Sequence, residues 1–326
     1  EFYEEPGSLP CVNAGMLEDD LRRRDFTINA MAVSINKEDF GRLIDLFKGQ
    51  ADLRYKRIRI LHDLSFLDDP TRILRAVRFE QRYDFHIEPH TLRVLKCALE
   101  SDMLKKISPH RVRDELVLIL KEPRVLSCVK RLARLTGLDF IHSGLKINKR
   151  ALELLKAVRS QAAWYKRYLP SRRALDEWLM YLIVMLDPLN VRQVALFCRR
   201  FGLTRGEEKR MLSFREESSV LKRRLNRQTL RPSVVFKVLE PLSYEVILLA
   251  KARYKDRLFS GYIGRFLKLY NRTGSLISGA DLMKLGIEPG PGYKKILDQL
   301  LYLRLDGHLR TRAAQIRWIK DKIKRS

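Results

Sequence analysis

The chain has 326 residues, 45% of them hydrophobic and 32% charged, enough apolar material for two or three compact units and too much for a disordered polymer. Its 65 Lys and Arg against 39 Asp and Glu give a formal charge of +26, far beyond what solubility requires, which points to a polyanionic partner with nucleic acid in the lead. No stretch approaches the roughly 20 apolar residues of a membrane-spanning helix, and the six histidines and the cysteines Cys11, Cys97, Cys128 and Cys198 lack the spacing of a zinc site or disulfide framework. With no signal peptide either, the chain reads as a cytoplasmic protein with reduced thiols.

Residues 1–18, with Pro6, Gly7, Pro10 and Gly15 and little periodicity, predict a loop or extended entry segment. The opening Glu1-Phe2-Tyr3-Glu4-Glu5-Pro6-Gly7 lacks a methionine and reads as the middle of a longer polypeptide. From Leu17 to Ala32, Glu18, Asp19 and Asp20, then Arg22, Arg23 and Arg24, then Asp25 and Asn29 crowd into a few turns. Asp25 and Asn29, four apart, are expected on one helix face where both can bond hydroxyls, and Arg24 offers a cation for a phosphate chain. A ladder of surface ion pairs explains the same spacing. Met31 to Ile35 alternates like a strand, residues 36–39 form a polar turn, and Leu43 to Phe47 returns, which predicts a hairpin. A short linker near Gly49 and Gln50, then Arg54 to Ile60, leads onward.

Asp69 is a natural N-cap and Pro70 suits the first helical position, so a helix is expected to start here and run through Phe79. Ile73, Leu74 and Val77 would face a core, while Arg72, Arg75 and Arg78 recur every third residue as an exposed stripe. Arginine can grip a base edge or phosphate oxygens in a planar fork, and an Asp acceptor beside it completes a donor and acceptor pattern able to read a base. The residues alone leave a second reading open: Asp69 only caps, Arg72 pairs with Asp68 or Asp69, and the other arginines form a solvated face.

Beyond this helix no further strand is predicted. Helices are expected over Thr91 to Leu99, from Ser108 as a cap through Leu120 with Arg111, Arg113, Asp114 and Glu115 outward, and near 124–135, 149–164, 172–186, 190–201, 205–224 and 232–252. A short capped helix ends at Gly286, and Gly290-Pro291-Gly292 leads into a helix from Tyr293 to Leu305. A glycine-bearing turn at a helix start exposes amides to an anion, so Gly290, Gly292 and the adjacent Lys294 are candidates for an RNA phosphate; a plain connection between helices fits the spacing equally well. The last stretch carries Arg310, Arg312, Arg317, Lys320, Lys322, Lys324 and Arg325 against the single acid Asp321, a composition that favours a phosphate backbone without reading sequence.

Together, Arg23-Arg24-Asp25-Phe26-Thr27-Ile28-Asn29-Ala30-Met31-Ala32, the Asp68-to-Phe79 motif and the segment from Ile277-Ser278-Gly279 through Pro291, ending in Leu305-Asp306-Gly307, resemble the bacterial class II tRNA nucleotidyltransferase and poly(A) polymerase family in order and spacing. The resemblance implies a mainly α chain: the remnant of an α/β nucleotidyltransferase head over 1–54, a nucleotide-recognising neck over 55–120, a helical body over 121–225 and a tRNA-binding helical tail over 226–326. It implies addition of C, A or both from CTP and ATP to tRNA 3′ ends without a nucleic-acid template. Asp69 and Arg72 would contact the base, Arg75, Arg78 and Arg24 would bind the same nucleotide, and Asp25 with Asn29 would support the ribose.

One departure is large. The family's Gly-Gly-x-x-Arg-Asp turn and paired Asp-x-Asp metal ligands are absent from residues 1–20. The resemblance therefore implies that this chain holds no catalytic carboxylates, that the Mg2+ ligands lie in a missing N-terminal head segment of the same protein or a partner chain, and that the chain is inactive alone. Poly(A) synthesis, or a noncatalytic basic RNA-binding helical protein, are the competing readings.

Overall fold

The computed structural model describes residues 15–170 and 172–323. Of the loop predicted over 1–18, residues 1–14 with Cys11 lie outside the described residues, as do the terminal Lys324 and Arg325, and its last two residues, Leu17 and Glu18, are helical. The described chain is mainly α and falls into two units, residues 1–156 with 177–208, and residues 157–176 with 209–326.

In the first unit, α1 (Leu17–Arg22) ends three residues before Asp25, and Thr27–Asn29 is a single 3-10 turn. Asp25 and Asn29 therefore do not share an α-helical face. The turn nevertheless folds them together, with Asn29 Nδ2 donating to Asp25 Oδ1 at 3.0 Å. The expected hairpin is present but short, β1 (Ala32–Val33) pairing antiparallel with β2 (Leu43–Ile44). The predicted linker at Gly49 is instead α2 (Gly49–Arg54), started by the Asp45 carboxylate, which accepts from the Gly49 and Gln50 amides at 2.7 and 2.9 Å. Asp52, on this helix and almost wholly buried, accepts from Thr27 Oγ1 at 2.8 Å and Arg59 Nε at 3.0 Å, tying the turn to the following strand.

Gly49 has no room for a side chain, since a Cβ there would stand 2.4 Å from the Thr27 carbonyl oxygen, a backbone atom. We expect Gly49→Ala to cost about 1–3 kcal/mol through overpacking, read as a lowered urea midpoint. Gly206→Ala, in open space on a helix, should instead gain about 0.5–1 kcal/mol. Equal behaviour of the two would sink the argument.

β3 (Arg57–Ile58) pairs in parallel with β4 (His86–Ile87), a strand the periodicity did not reveal because two residues carry no alternation. Between them lie α3 (Ser65–Asp68) and α4 (Thr71–Tyr83). As the spacing predicts, α4 buries Ile73, Leu74 and Val77, and its Phe79 meets Phe26 edge-on at 5.9 Å. Its arginines depart from the expectation of an exposed stripe, because Arg72 and Arg78 are 4% and 6% exposed.

Next come α5 (Pro89–Glu100), capped by Glu88 through the Thr91 amide at 2.8 Å, α6 (Met103–Lys106), α7 (Pro109–Leu120) and α8 (Val125–Thr136). α7 and α8 pack against α4. Ser108 occupies the N-cap of α7, yet its hydroxyl makes no capping bond. Glu115, expected outward, is buried against the α4 arginines. Burial, reinforced by Glu122, pushes the Cys128 thiol on α8 up to about 12, which fits a packed, unreactive cysteine.

The chain leaves this unit along α9 (Lys149–Tyr168), returns through α10 (Glu177–Met185) and α11 (Val191–Arg200), and leaves again along α12 (Arg205–Arg224). α10 starts five residues later than the pattern suggested. In the second unit the single helix expected over 232–252 is two, α13 (Pro232–Leu239) and α14 (Tyr244–Arg253), broken around Pro241, with Ser243 capping the second. α15 (Arg257–Lys268) follows, a helix not predicted, capped by Asp256. α16 (Gly279–Lys284), α17 (Gly292–Leu305) and α18 (Arg312–Ile323) close a small core of Ile277, Leu282, Leu300 and Ile319.

Candidate functional site

The start of α4 supplies the acceptor of the site. Asp69 is extended (φ −135°, ψ 94°), and its Oδ1 accepts from the Thr71 amide at 3.0 Å, from Thr71 Oγ1 at 2.6 Å and from Arg111 Nη2 at 2.8 Å. Capping as predicted is thus real, although the helix proper begins at Thr71. The other oxygen, Oδ2, accepts no protein donor among the described residues. A carboxylate pinned on one side and open on the other is a fixed hydrogen-bond acceptor.

The arginines are held rather than loose. Arg72 Nη1 donates to Ser65 Oγ at 2.7 Å and Nη2 to the Arg23 carbonyl at 2.6 Å, which ties α4 to the Arg23-Arg24-Asp25 segment. The alternative pairing of Arg72 with Asp68 or Asp69 is not what holds it. Arg75 donates through Nε and Nη2 to Asp25 Oδ2 at 2.9 and 2.6 Å and through Nη1 to Glu115 Oε1 at 3.1 Å. Burial on its own would lower the Arg75 pKa, but Asp25 and Glu115 outweigh it and hold the pKa above the usual arginine value. Asp25 is saturated: its Oδ1 also accepts from the Phe26 amide at 2.9 Å and from Asn29.

These groups line an open cleft of about 660 Å³. It brings together Arg24, Asp25, Asn29, Asp69, Arg72 and Arg75, six of the seven residues expected at a nucleotide. Arg78 does not line it; one turn on, it is buried with Nη2 3.3 Å from Glu115 Oε2 and Nη1 3.9 Å from Glu122 Oε1. Arg24 sits at the rim, 46% exposed, donating to Asp20 Oδ2 at 3.0 Å and the Asn29 carbonyl at 3.3 Å.

Sequence reasoning missed Arg111 and Glu115 as members of the site. Their only local signal is that they stand four apart on α7, hence on one face; their partners lie some forty residues away. Among the described residues no group of three His, Cys, Asp or Glu side chains is placed to hold a metal ion, and the cleft carboxylates Asp25 and Glu115 are committed to arginines.

The residues expected to meet RNA fall in two places. Gly290, Gly292 and Lys294 are exposed at the start of α17, and Arg310, Arg312, Arg317 and Lys320 are exposed before and along α18. Arg312 is paired with Asp281 at 2.7 Å, and Arg310 Nε donates to the Gly307 carbonyl at 3.0 Å.

A family model described as "Poly A polymerase head domain" matches residues 3–59, and one described as "Probable RNA and SrmB- binding site of polymerase A" matches residues 84–147. The chain is 36% identical, over 97% of its length, to an A-adding tRNA nucleotidyltransferase of Geobacter sulfurreducens, of which it spans 36%. It is 30% identical to a CCA-adding enzyme of Streptococcus gordonii, over 94% of this chain and 72% of that one. Among solved structures, a Thermotoga maritima CCA-adding enzyme complexed with tRNA matches with a TM-score of 0.75 and 31% identity, over 94% of this chain and 74% of that chain. The motifs, their assembly into one cleft and these likenesses agree, and the chain belongs to the tRNA nucleotidyltransferase and poly(A) polymerase family.

Proposed function

We propose that this chain carries the nucleotide-selecting and RNA-holding part of an enzyme that adds C, A or both to the 3′ end of tRNA, drawing on CTP and ATP without a nucleic-acid template. The observation that carries this reading is the Asp69 carboxylate, fixed through Oδ1 and open at Oδ2 beside a cluster of held arginines. Cytosine and adenine present an exocyclic amino group where uracil and guanine present a carbonyl oxygen. A fixed acceptor therefore favours C and A, and a wrong base leaves partly buried polar groups unpaired. The same acceptor serves both bases, so one site can serve two nucleotides.

In this reading Asp69 and Arg72 meet the base edge. Arg24, at the rim, takes the phosphate chain. Asn29, oriented by Asp25, serves the ribose, and Arg75 and Arg78 bind nucleotide or fix the groups that do. Residues 1–54 act as the end of a head, 55–120 as a neck, 121–225 as a body and 226–326 as a tail. In the tail Gly290, Gly292, Lys294, Arg310, Arg312, Arg317 and Lys320 face tRNA. The names of the relatives support tRNA rather than a poly(A) tail as the acceptor.

Family membership implies use of a divalent metal ion. The described residues do not offer a set that fits one; in this reading the Mg2+ ligands belong to an N-terminal head segment of the same protein or of a partner chain. No described helix is long and apolar enough to cross a membrane, and tRNA as partner fits a cytoplasmic setting.

The test is direct binding of the four nucleoside triphosphates. ATP and CTP should bind at least about tenfold more tightly than UTP and GTP, a difference of about 1.4 kcal/mol. Asp69→Asn keeps an acceptor for the Thr71 amide but puts a donor where Oδ2 stands, and should abolish or invert the preference. A wild-type chain indifferent to the base, or a variant with unchanged preference, defeats the proposal.

A further inference from the structure

The second unit pairs some of its cations internally: Arg173 with Glu245 at 2.7 Å, Lys222 with Asp256 at 2.6 Å and Arg312 with Asp281 at 2.7 Å. One cluster departs from that pattern. Lys251 Nζ, from α14, stands 3.9 Å from the ring centre of Trp164 on α9, and Lys268 Nζ, from α15, stands 5.6 Å from the same ring and 4.6 Å from that of Tyr168. The two rings lie 5.8 Å apart, tilted by 41°. Arg167 adds a third cation, 5.6 Å from Tyr168. Among the described residues neither lysine has a carboxylate within ion-pairing distance.

The sequence around these side chains is basic as well. Residues 157–175, 246–255 and 257–280, which include all five side chains, contain twelve Lys and Arg and no Asp or Glu. Burial, and then the charge of Lys268, depress the Lys251 pKa, and no acid acts on it in return. The ring faces offset part of the repulsion between the ammonium groups, and a bound anion would offset the rest.

We propose that Lys251 and Lys268, held over Trp164 and Tyr168, form a second RNA contact that grips a backbone phosphate and offers Tyr168 as a stacking face for an unpaired base. The proposal rests on the reading that the chain holds RNA, and adds a site that neither the nucleotide cleft nor the basic stretch after His308 contains. Tyr168 is 48% exposed, as a stacking face must be. Cations interleaved with aromatic rings suit a chain that alternates phosphate and base, whereas an acidic polypeptide would have no use for the rings.

The experiment compares wild type with the double variant Lys251→Gln, Lys268→Gln, and with Tyr168→Leu, measuring affinity for unfractionated tRNA over a salt series, affinity for ATP, and the melting temperature. The lysine variant should lose about tenfold in tRNA affinity, with a shallower dependence of log affinity on log salt by about one unit. Its ATP affinity should stay constant, and its melting temperature should hold or rise as the repulsion disappears. Tyr168→Leu should lose at least about fivefold with the salt slope unchanged. An unchanged tRNA affinity and slope in the lysine variant overturns the site. So does an equal loss of affinity for polyglutamate with Tyr168→Leu silent, which would mark a general anion surface. If wild type binds no tRNA at all, the functional reading above fails and this contact falls with it; if wild type binds and the variants match it, this contact alone fails.

Discussion

Arg78→Ala should lower the stability of the first unit by about 3–5 kcal/mol, the range for removing one partner of a buried ion pair. The Arg78 side chain is 8% exposed and faces two carboxylates about as buried, Glu115 at 11% and Glu122 at 6%. Each keeps one other cation, Arg75 at 3.1 Å and the more exposed Arg82 at 3.5 Å, so the loss belongs near the lower end of that range. Arg78→Lys should recover only part of it, because an ammonium is a point charge and cannot reach both carboxylates as a planar fork can. Urea unfolding at about pH 7 reads the effect. A loss under about 1 kcal/mol would mean that the two glutamates are solvated in the native state and that Arg78 is not their keystone. Nucleotide affinity should fall with it, since Glu115, freed from Arg78, no longer holds Arg75 in one place.

The second unit should be acid-sensitive through its buried carboxylate, Glu245. Glu245 is fully buried, and accepts from Arg173 Nη1 and Nη2 at 2.8 and 2.7 Å and from the Asp176 amide at 3.1 Å. Burial raises its pKa, but the two bonds from Arg173 and the Asp176 amide outweigh that, and the folded value lies below that of a free glutamate. A depressed carboxylate contributes stability that is present above the unfolded pKa of about 4.5 and disappears as pH falls through the folded value. Glu245→Ala should cost about 3–5 kcal/mol at about pH 7 by leaving Arg173 and the amide without their acceptor, discounted for the half-exposed Arg173. Glu245→Gln should flatten the pH dependence below about pH 4.5 while keeping part of the hydrogen bonding. If the glutamine variant shows the same acid-induced fall in urea midpoint as wild type, Glu245 is not the responsible group.

Particular residues explain what could be read from the sequence. Asp69 and Pro70 announced a helix start because capping is a local rule, and six residues chosen on motif spacing converge on one cleft. Whether a charged stripe faces water or a buried partner is not local. The same three-residue period of Arg72, Arg75 and Arg78 suits either, and the deciding acids, Glu115 and Glu122, lie about forty residues on. Glu115 was expected outward for the same reason, since its charge was legible and its partners were not. β4 escaped notice because its existence depends on the backbone of Lys56 and Ile58, which accept from the His86 and Glu88 amides at 2.9 and 3.0 Å. The break between α13 and α14 was legible, because Pro241 and the cap residue Ser243 mark it, yet the apolar periodicity on both sides concealed it.

Arg75 bridges segments 50 and 40 residues away, Asp25 on one side and Glu115 on the other. Such a residue makes the cleft a non-local object. Loop-closure entropy must be met before the three segments can meet, so the site has no precursor in any short fragment and forms only as the unit as a whole becomes native. In the proposed function, nucleotide binding would therefore stabilise everything from the 3-10 turn to α7 at once, by RT ln(1 + [L]/Kd). Nucleotide concentration would in this way tune the stability of the fold as well as the occupancy of the site.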